Sequence, residues 1–454
     1  MSKSKNILFI ARANNDLDHY LPLVVELKKH KEISSTILVL NNKYELLKNK
    51  LFNYICESNN IYIISLTDIF RLKRINWLLI HIYEYTLLHE KSMNNGSSLY
   101  RAFLKILQSI TKKYISFHTL YLLTEDKIRD YIDLNNFDLV IIDTAVIEKS
   151  LLESKNPRFR FIKIAREKEI PILMIPHGPQ MVYETPPDAS FKGITADSIF
   201  KPDYTFFVNK RELQVLYFIR GLKDTFFLGD PRYDVNWINY LESCAMKVYD
   251  SVIMKPEDKK VLLYCLSNLE AYHDRYSVDS DYRFGLHKDV LSLVNYFPDL
   301  ELWVKLHPRV PYEIPISDFI REDRRENIKQ FGNDVDTNIL IAKADIYIST
   351  GSTTVVNPIV KKKPVIFYDR WKEKVKDATT FLDDYSFILN LKASNMEELI
   401  MQCKKALNNE YEISDADIEE FYRNVFVKTA SESMTEKYIK IIKHIMNENI
   451  TQTN

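Results

Sequence analysis

Short apolar runs and amphipathic stretches alternate along the whole chain. The apolar runs include NILFIA from Asn6, FDLVIID from Phe137, KVLLYC from Lys260 and ELWVK from Glu301. Between them lie segments with apolar residues at helical spacing, of which 396–407 is a clear case. Continuous apolar strands separated by helices are typical of parallel sheets covered on both faces. The sequence therefore predicts an α/β fold.

A polar break, MKPEDKK, separates two such series near residue 250. We expect two doubly wound, Rossmann-like domains that face a cleft, over 1–250 and 251–427. The first has a helical insertion at about 68–130, and 428–454 is a C-terminal helix able to pack back across the domains. Ligands of such folds bind at the carboxyl ends of the strands.

Composition limits the function. The 62 basic and 62 acidic residues cancel, which argues against a general nucleic-acid binder. Four scattered cysteines without a CxxC pair predict no zinc site and fit a reducing compartment. Without a signal peptide or an apolar run of about 18 residues, the expected location is the cytoplasm. The helix RLKRINWLLIHIYEY could lie peripherally on the inner membrane face, although a core-facing position is predicted.

Glycine is scarce, with 8 in 454 residues. Gly178, Gly229 and Gly351 stand at predicted junctions of strand and turn, where the backbone bends tightly or approaches a ligand. Gly221 and Gly332 are predicted to end helices, after LYFIR and IKQF.

Two motifs of the second half predict an anion site. One strand ends on Lys305 and His307, and a later strand ends on the hydroxyl-rich run STGSTT. Hydroxyls and free backbone N–H groups at a helix start bind phosphate, although an ordinary helix cap uses the same residues. The predicted donor-phosphate residues are Lys305, Gly351, Ser352, Thr353, Thr354 and Asn357.

The first half offers acceptor-side chemistry. His177, released from a strand end by Gly178, is a candidate general base or a turn histidine. Arg232 suits a phosphate or a carboxylate in the cleft, and Asp234 either joins it or caps the next helix. Asp16 and Asp18 follow the first strand, where either is an alternative base or a helix cap.

The order HG, GxPRxD, KLHP, ST and KPVIFY along residues 170–370 resembles the CDP-glycerol glycerophosphotransferase and polysialyltransferase-like group of bacterial surface-polysaccharide enzymes, which have the GT-B fold. The resemblance implies that His177 is the acceptor-side base and that His307 contacts the donor phosphate. It also implies that Ser352 and Thr353 correspond to paired serines that hold phosphate. The chain departs from the group at Asn357, where an acidic residue is usual, and at Thr350, where Asp is usual.

The predicted function is transfer of a sugar from a CMP-, CDP- or UDP-linked donor to a growing capsule, O-antigen or teichoic-acid-like glycan. The donor is bound by the second domain, and the acceptor, a glycan or a lipid-linked glycan, by the first. No metal and no cofactor is expected, since the nucleotide-activated donor is a substrate. Three alternatives stay open: a CDP-glycerol-type polyol-phosphate transferase, a nucleotide-sugar 2-epimerase, and a non-catalytic subunit of a polysaccharide-synthesis complex.

Overall fold

The computed structural model describes most of the two predicted sheets and the helices around them. Described residues are 4–12, 14–40, 49–69, 82, 102–107, 109–111, 113, 124–143, 152, 156–176, 200–210, 224–266, 280–306, 326–332, 334–350, 353–368 and 391–452.

Seven parallel strands form the first sheet, in the order β3-β2-β1-β4-β5-β6-β7. The order reverses between β1 and β4, which pair in parallel from Ile7 opposite Leu139. This reversal is the switch point at which doubly wound sheets bind ligands. The strands are β1 Lys5–Ala11, β2 Ile33–Val39, β3 Ile63–Ser65, β4 Leu139–Asp143, β5 Ile172–Ile175, β6 Tyr204–Phe207 and β7 Asp224–Phe227.

Helices connect these strands, and local sequence explains where several begin. Asn49, Thr124 and Asn156 each accept a backbone N–H bond at a helix start, the usual role of a cap. Described residues at 102–107 and 109–111 are also helical. The helices are α1 Asn14–Leu27, α2 Lys50–Ser58, α3 Leu66–Ile69, α4 Glu125–Asn135, α5 Pro157–Glu167 and α6 Val235–Tyr249, with a 3₁₀ turn at Pro231–Tyr233.

The second sheet repeats the plan with six parallel strands, in the order β10-β9-β8-β11-β12-β13. Its strands are β8 Lys260–Cys265, β9 Leu300–Lys305, β10 Ile328–Phe331, β11 Ile346–Ser349, β12 Val365–Tyr368 and β13 Leu391–Ala393. Its helices are α7 Ser280–Tyr296, α8 Thr337–Lys343, α9 Val356–Val360 after a 3₁₀ turn at Thr353–Val355, α10 Met396–Leu407, α11 Asp415–Phe426 and α12 Met434–Gln452. The expectation of two doubly wound parallel sheets is confirmed.

Two local predictions are wrong. Gly332 follows strand β10 and not a helix, because IKQF pairs in parallel with β9, from Ile328 opposite Leu302. Asp16 lies inside the first turn of α1 and is not its cap. Its carboxylate instead reaches back to accept the backbone N–H of Arg12 at 2.6 Å.

The C-terminal helices return to the first sheet. Helix α12 packs against α1, and the Lys5 ammonium donates to the Met446 carbonyl at 3.2 Å. Asn209, just beyond β6, donates its side-chain amide to the Val425 carbonyl at 2.8 Å. Residues 415–452 are therefore bound to the first domain although they follow the second in sequence. Among the described residues, no helix is both long and apolar enough to cross a membrane.

Candidate functional site

A cleft lies between the two sheets, and both domains supply its walls. Its empty volume is about 560 Å³, open solvent included. The described lining residues are Asp18, Phe52, Arg232, Tyr233, Leu241, Asp336, Thr337, Asn338, Ile341, Thr353, Thr354 and Asn357.

Arg232 is the cation among the described lining residues. Its Nη1 donates to Asp18 Oδ2 at 3.1 Å, and its Nη2 donates to the Tyr233 hydroxyl. The side chain of Arg232 is 17% exposed and that of Asp18 is 29% exposed. Burial opposes the charge on Arg232, but the nearby Tyr233, Asp18 and Asp230 outweigh it and raise its pKa. The guanidinium therefore stays cationic in a partly dry site.

A buried His–Asp pair supports Arg232 from below. Asp230 Oδ1 accepts the Arg232 backbone N–H at 3.0 Å, and its Oδ2 lies 3.4 Å from His19 Nδ1. Both side chains are at most 2% exposed. Burial alone would raise the pKa of Asp230, but the charges and hydrogen bonds of His19 and Arg232 outweigh it and lower the pKa. Asp230 is thus a buried anion beneath the cleft cation.

Hydroxyl contacts join the two walls of the cleft. The Tyr233 hydroxyl, from the first domain, shares a side-chain hydrogen bond with Thr353 of the second. Burial raises the pKa of Tyr233 to about 12, so its hydroxyl keeps its proton at neutral pH. The next residue, Thr354, bonds the hydroxyl of the buried Tyr347. Both threonine hydroxyls therefore have fixed partners at the cleft surface.

An amide and carboxyl network forms the rest of the second wall. Asp336 caps α8 by accepting the backbone N–H of Asn338 at 2.9 Å, and it also accepts the Asn49 side-chain amide from the first domain at 3.1 Å. Burial raises the pKa of Asp336. Asn357 donates to the Asn338 side chain at 2.8 Å. The described part of this wall presents hydroxyl and amide groups, and the carboxyl group of Asp336 within it is held by three donors.

Five residues predicted from the sequence share this cleft: Asp18, Arg232, Thr353, Thr354 and Asn357. Five others lie outside the described residues, namely His177, Gly178, His307, Gly351 and Ser352. Their predicted roles stay predictions.

Three predicted residues are described but are not among the residues lining the cleft. The Lys305 ammonium donates to the carbonyls of Leu306 and Gly332 at 3.2 and 3.0 Å, and burial lowers its pKa. Asp16 is 1% exposed and pairs with Arg12. Asp234 is 2% exposed and accepts bonds from the start of α12. The contacts of all three hold the backbone or neighbouring elements in place.

Tyr233, Asp336, Asn338 and His19 take part in the site without having been predicted. Asp336 carried a usable signal, because Asp before the apolar run TNILIAK is the pattern of a helix cap. His19 and Tyr233 gave no such signal, since each matters through a contact that only the folded chain makes. Among the described residues, no group of three His, Cys, Asp or Glu side chains could hold a metal ion.

Comparison with known proteins supports the fold alone. No protein-family model and no curated protein matches the chain in sequence. A UDP-GlcNAc 2-epimerase from Neisseria meningitidis bound to UDP-GlcNAc is 13% identical, with a TM-score of 0.53 over 97% of this chain and 100% of that one. S. aureus MnaA, in a structure with UDP, is 13% identical, with a TM-score of 0.52 over 98% and 97%.

A variant of the wall teichoic acid polymerase TagF soaked with CDPG is 14% identical. Its TM-score is 0.52 over 99% of this chain and 90% of that one. Two parallel-sheet domains with seven and six strands, matching neighbours of this kind, give the chain the GT-B fold.

Proposed function

We propose that the chain is a GT-B transferase that moves a sugar from a nucleotide-activated donor to a growing cell-surface glycan. The observation that supports this most is that Arg232 of the first domain and the hydroxyls of Thr353 and Thr354 of the second line one cleft. A guanidinium matches phosphate oxygens with a fork of donors, and hydroxyls add neutral hydrogen bonds. This combination suits the phosphates of a nucleotide donor.

In the proposed reaction an acceptor hydroxyl attacks the anomeric carbon of the donor sugar. The carbon–oxygen bond to the nucleotide breaks, and the departing phosphate keeps the electron pair. Arg232, Thr353 and Thr354 stabilise the charge that develops on that phosphate, an effect that a partly dry site strengthens. His307 is the further predicted contact to the phosphate, and His177 the predicted base that takes the acceptor proton. The proposal uses no metal and no cofactor.

The partners follow from this chemistry. Proteins of the same fold have been solved with UDP-GlcNAc, UDP and CDPG, which supports a nucleotide-linked ligand for this cleft. The proposed acceptor is a glycan, free or lipid-linked, reached from the cytoplasmic side of the membrane. A CDP-glycerol-type polyol-phosphate transferase would use the same phosphate contacts but break a different bond. The acceptor hydroxyl would attack the phosphorus next to the polyol, the P–O bond to the nucleotide would break, and CMP would leave with the electron pair.

One observation favours a second candidate, a nucleotide-sugar 2-epimerase. Two carboxyl groups, Asp18 and Asp336, line the cleft, and proton transfer at a sugar carbon needs such groups. However, Asp18 is bound to Arg232, and Asp336 accepts bonds from Asn338 and Asn49. Because both carboxyl groups have strong partners, we rank the transferase first.

Nucleotide binding tests the proposal directly. Melting temperatures are measured for wild type and Arg232→Ala with CMP, CDP, UDP, GDP and CDP-glycerol. Arg129→Ala is the matched control, because Arg129 pairs with Glu125 and Glu167 and is not among the residues lining the cleft. We expect one nucleotide to raise the melting temperature of wild type and of the control, as a ligand of the folded state must, and to raise that of Arg232→Ala far less. No shift with any nucleotide contradicts the proposed donor site.

Product analysis then separates the remaining candidates. The transferase consumes the nucleotide sugar only when an acceptor is present, whereas an epimerase converts it alone. Binding without turnover against any acceptor, with His177 and His307 both replaceable, identifies a non-catalytic subunit. Full turnover by His307→Ala contradicts the role predicted for that histidine.

A further inference from the structure

The turn that carries Arg232 is tied at both ends to the C-terminal helices. The Tyr438 hydroxyl of α12 donates to the Gly229 carbonyl at 2.8 Å. The Tyr422 hydroxyl of α11 donates to the Tyr233 carbonyl at 2.7 Å. Both tyrosines are 0% exposed. Each bond therefore gives a buried carbonyl a hydrogen-bond donor and fixes the orientation of its peptide plane.

Asp234 forms a third tie directly after the turn. Its Oδ2 accepts the Ser433 hydroxyl at 2.8 Å and the Thr435 backbone N–H at 2.9 Å. Thr435 lies in the first turn of α12, where backbone N–H groups have no partner inside the helix. A carboxylate from the first domain thus completes the start of a helix that follows the second domain in sequence.

Close packing leaves the turn little room to shift. Gly229 has φ +78°, and a Cβ atom built on it would overlap Met434 Sδ and lie 3.2 Å from Phe426 Cβ. The Tyr233 ring stacks on Phe426 with 5.4 Å between ring centroids and 28° between planes. The backbone of the turn is thus in direct contact with both α11 and α12.

The other face of the turn carries the cleft chemistry. Asp230 holds the backbone of Arg232, and the Tyr233 hydroxyl accepts from its guanidinium, whose Cζ lies 4.5 Å from the Tyr233 ring centroid. A change in the direction of the Tyr233 peptide therefore moves both the ring under the guanidinium and the hydroxyl beside it.

We propose that α11 and α12 set the position of the Arg232 guanidinium for the donor phosphates, with Tyr422, Tyr438 and Asp234 as positioning residues. The inference rests on the proposed function, because it assumes that a phosphate binds at Arg232. It adds that affinity for the nucleotide depends on residues near the C-terminus that do not line the cleft.

The test is a double-mutant cycle in which nucleotide affinity is measured by isothermal titration calorimetry. The ligand is the nucleotide that raises the melting temperature of wild type most. The single variants are Tyr422→Phe and Arg232→Ala. Tyr264→Phe is the control, because it also removes a buried tyrosine hydroxyl, one bonded to His287 in the second domain at 2.8 Å. Tyr438→Phe, at the other end of the turn, serves if Tyr422→Phe folds poorly.

We expect Tyr422→Phe to weaken nucleotide binding by about tenfold, since a small misplacement of a binding group carries a large penalty. Tyr264→Phe should change affinity by less than about twofold, within the usual limits of independence between distant sites. In the Arg232→Ala background, Tyr422→Phe should cause no further loss, because the group that it positions is gone.

The outcomes separate the two proposals. A wild-type chain that binds none of the nucleotides overturns the proposed function and this inference with it. A wild type that binds, with Tyr422→Phe no weaker than the control, overturns the inference alone. So does an equal loss from Tyr422→Phe with and without Arg232, because the effect would then not pass through the guanidinium.

Discussion

The two walls of the cleft differ in the polar groups that they present. The first-domain wall presents the guanidinium of Arg232, which donates to Asp18 and Tyr233, while the buried Asp230 holds the Arg232 backbone. The described part of the second-domain wall presents hydroxyl and amide groups, and its nearby lysine, Lys305, donates to backbone carbonyls instead. Among the described lining residues, the positive charge therefore comes from the first domain and the neutral hydroxyl donors from the second.

This difference gives the two domains unequal tasks. Movement of the second wall relative to the ligand breaks no ion pair among the described residues, because the carboxyl group of Asp336 is held by amide donors. The charged wall has to stay in place, since a displaced guanidinium would leave Asp18 without its counter-charge and would weaken the electrostatic support of the buried Asp230. The C-terminal helices support the charged wall, which is where a fixed geometry matters most.

The largest expected effect comes from damaging the support of the charged wall. Gly229→Ala should lower the free energy of unfolding by roughly 2–4 kcal/mol, because Ala at positive φ is strained and its Cβ overlaps Met434. Chemical denaturation measures the loss. Gly332→Ala is the matched control, since its Cβ meets only Asp334 Oδ1 at 3.2 Å. Equal stability losses in the two variants would contradict the account of the turn.

The next effect concerns Lys428, a buried lysine just after α11. Burial lowers the pKa of Lys428 to about 8, although Asp234 and two glutamates oppose the shift. In the unfolded chain a lysine titrates near pH ~10.4. Between these values the unfolded state binds a proton that the folded state lacks, so this residue makes folding more favourable as pH rises.

Lys428→Met should therefore lose stability more steeply than wild type between about pH 8 and pH 10.4, by up to roughly 1.4 kcal/mol per pH unit. Denaturation midpoints across that range measure the difference. Lys440→Met, at an exposed position of α12, should follow the wild-type curve. Parallel curves for all three proteins would exclude a shifted lysine at position 428.

A smaller effect tests the contribution of the second-domain wall to nucleotide affinity. Thr353→Val keeps the side-chain shape and removes one hydroxyl, so nucleotide affinity should fall by about tenfold, the usual range for a hydrogen bond to a charged group. Calorimetric titration measures it. Thr205→Val is the control, because the hydroxyl of this buried threonine has no partner in the described structure. Unchanged affinity in Thr353→Val would show that Thr353 is not part of the proposed phosphate site.

The smallest predicted change has the opposite sign. Asp18→Asn removes the carboxylate that neutralises Arg232. A nucleoside diphosphate should therefore bind about fivefold more tightly, as expected from the energy of a partly exposed ion pair. The control is Asp133→Asn on α4, which breaks a pair with Lys168 and should leave affinity for the nucleotide unchanged. Weaker binding by Asp18→Asn would show that the carboxylate helps the ligand. Tighter binding with slower turnover would make Asp18 a candidate base.

Continuous apolar strands made the sheets predictable from the sequence, because strands buried on both faces have a strong pattern. β10 was misread, since IKQF is four residues long and only its first residue is buried. Helix α8, seven residues long, was also missed, although Asp336 before it carries the signal of a helix cap. Short elements take their form from neighbours, in this case β9 and the second domain's core, and local sequence does not encode those neighbours.

The candidate site was predictable where polar residues follow strands. Arg232, Thr353 and Thr354 were identified in this way, and all three line the cleft. The supporting residues were not, because Tyr422, Tyr438 and His19 act across more than 180 positions of sequence. Such contacts depend on how α11 and α12 return to the first domain, which periodicity does not reveal.

The bond from Lys5 to Met446 joins residues 441 positions apart, and this distance has a consequence for biosynthesis. A ribosome adding ~5–20 residues per second needs roughly 20 to 90 seconds between those two residues. During that time the apolar side of α1 that α12 will cover stays open to water and to other chains. The first domain is therefore completed only after α12 has been synthesised, long after its own strands.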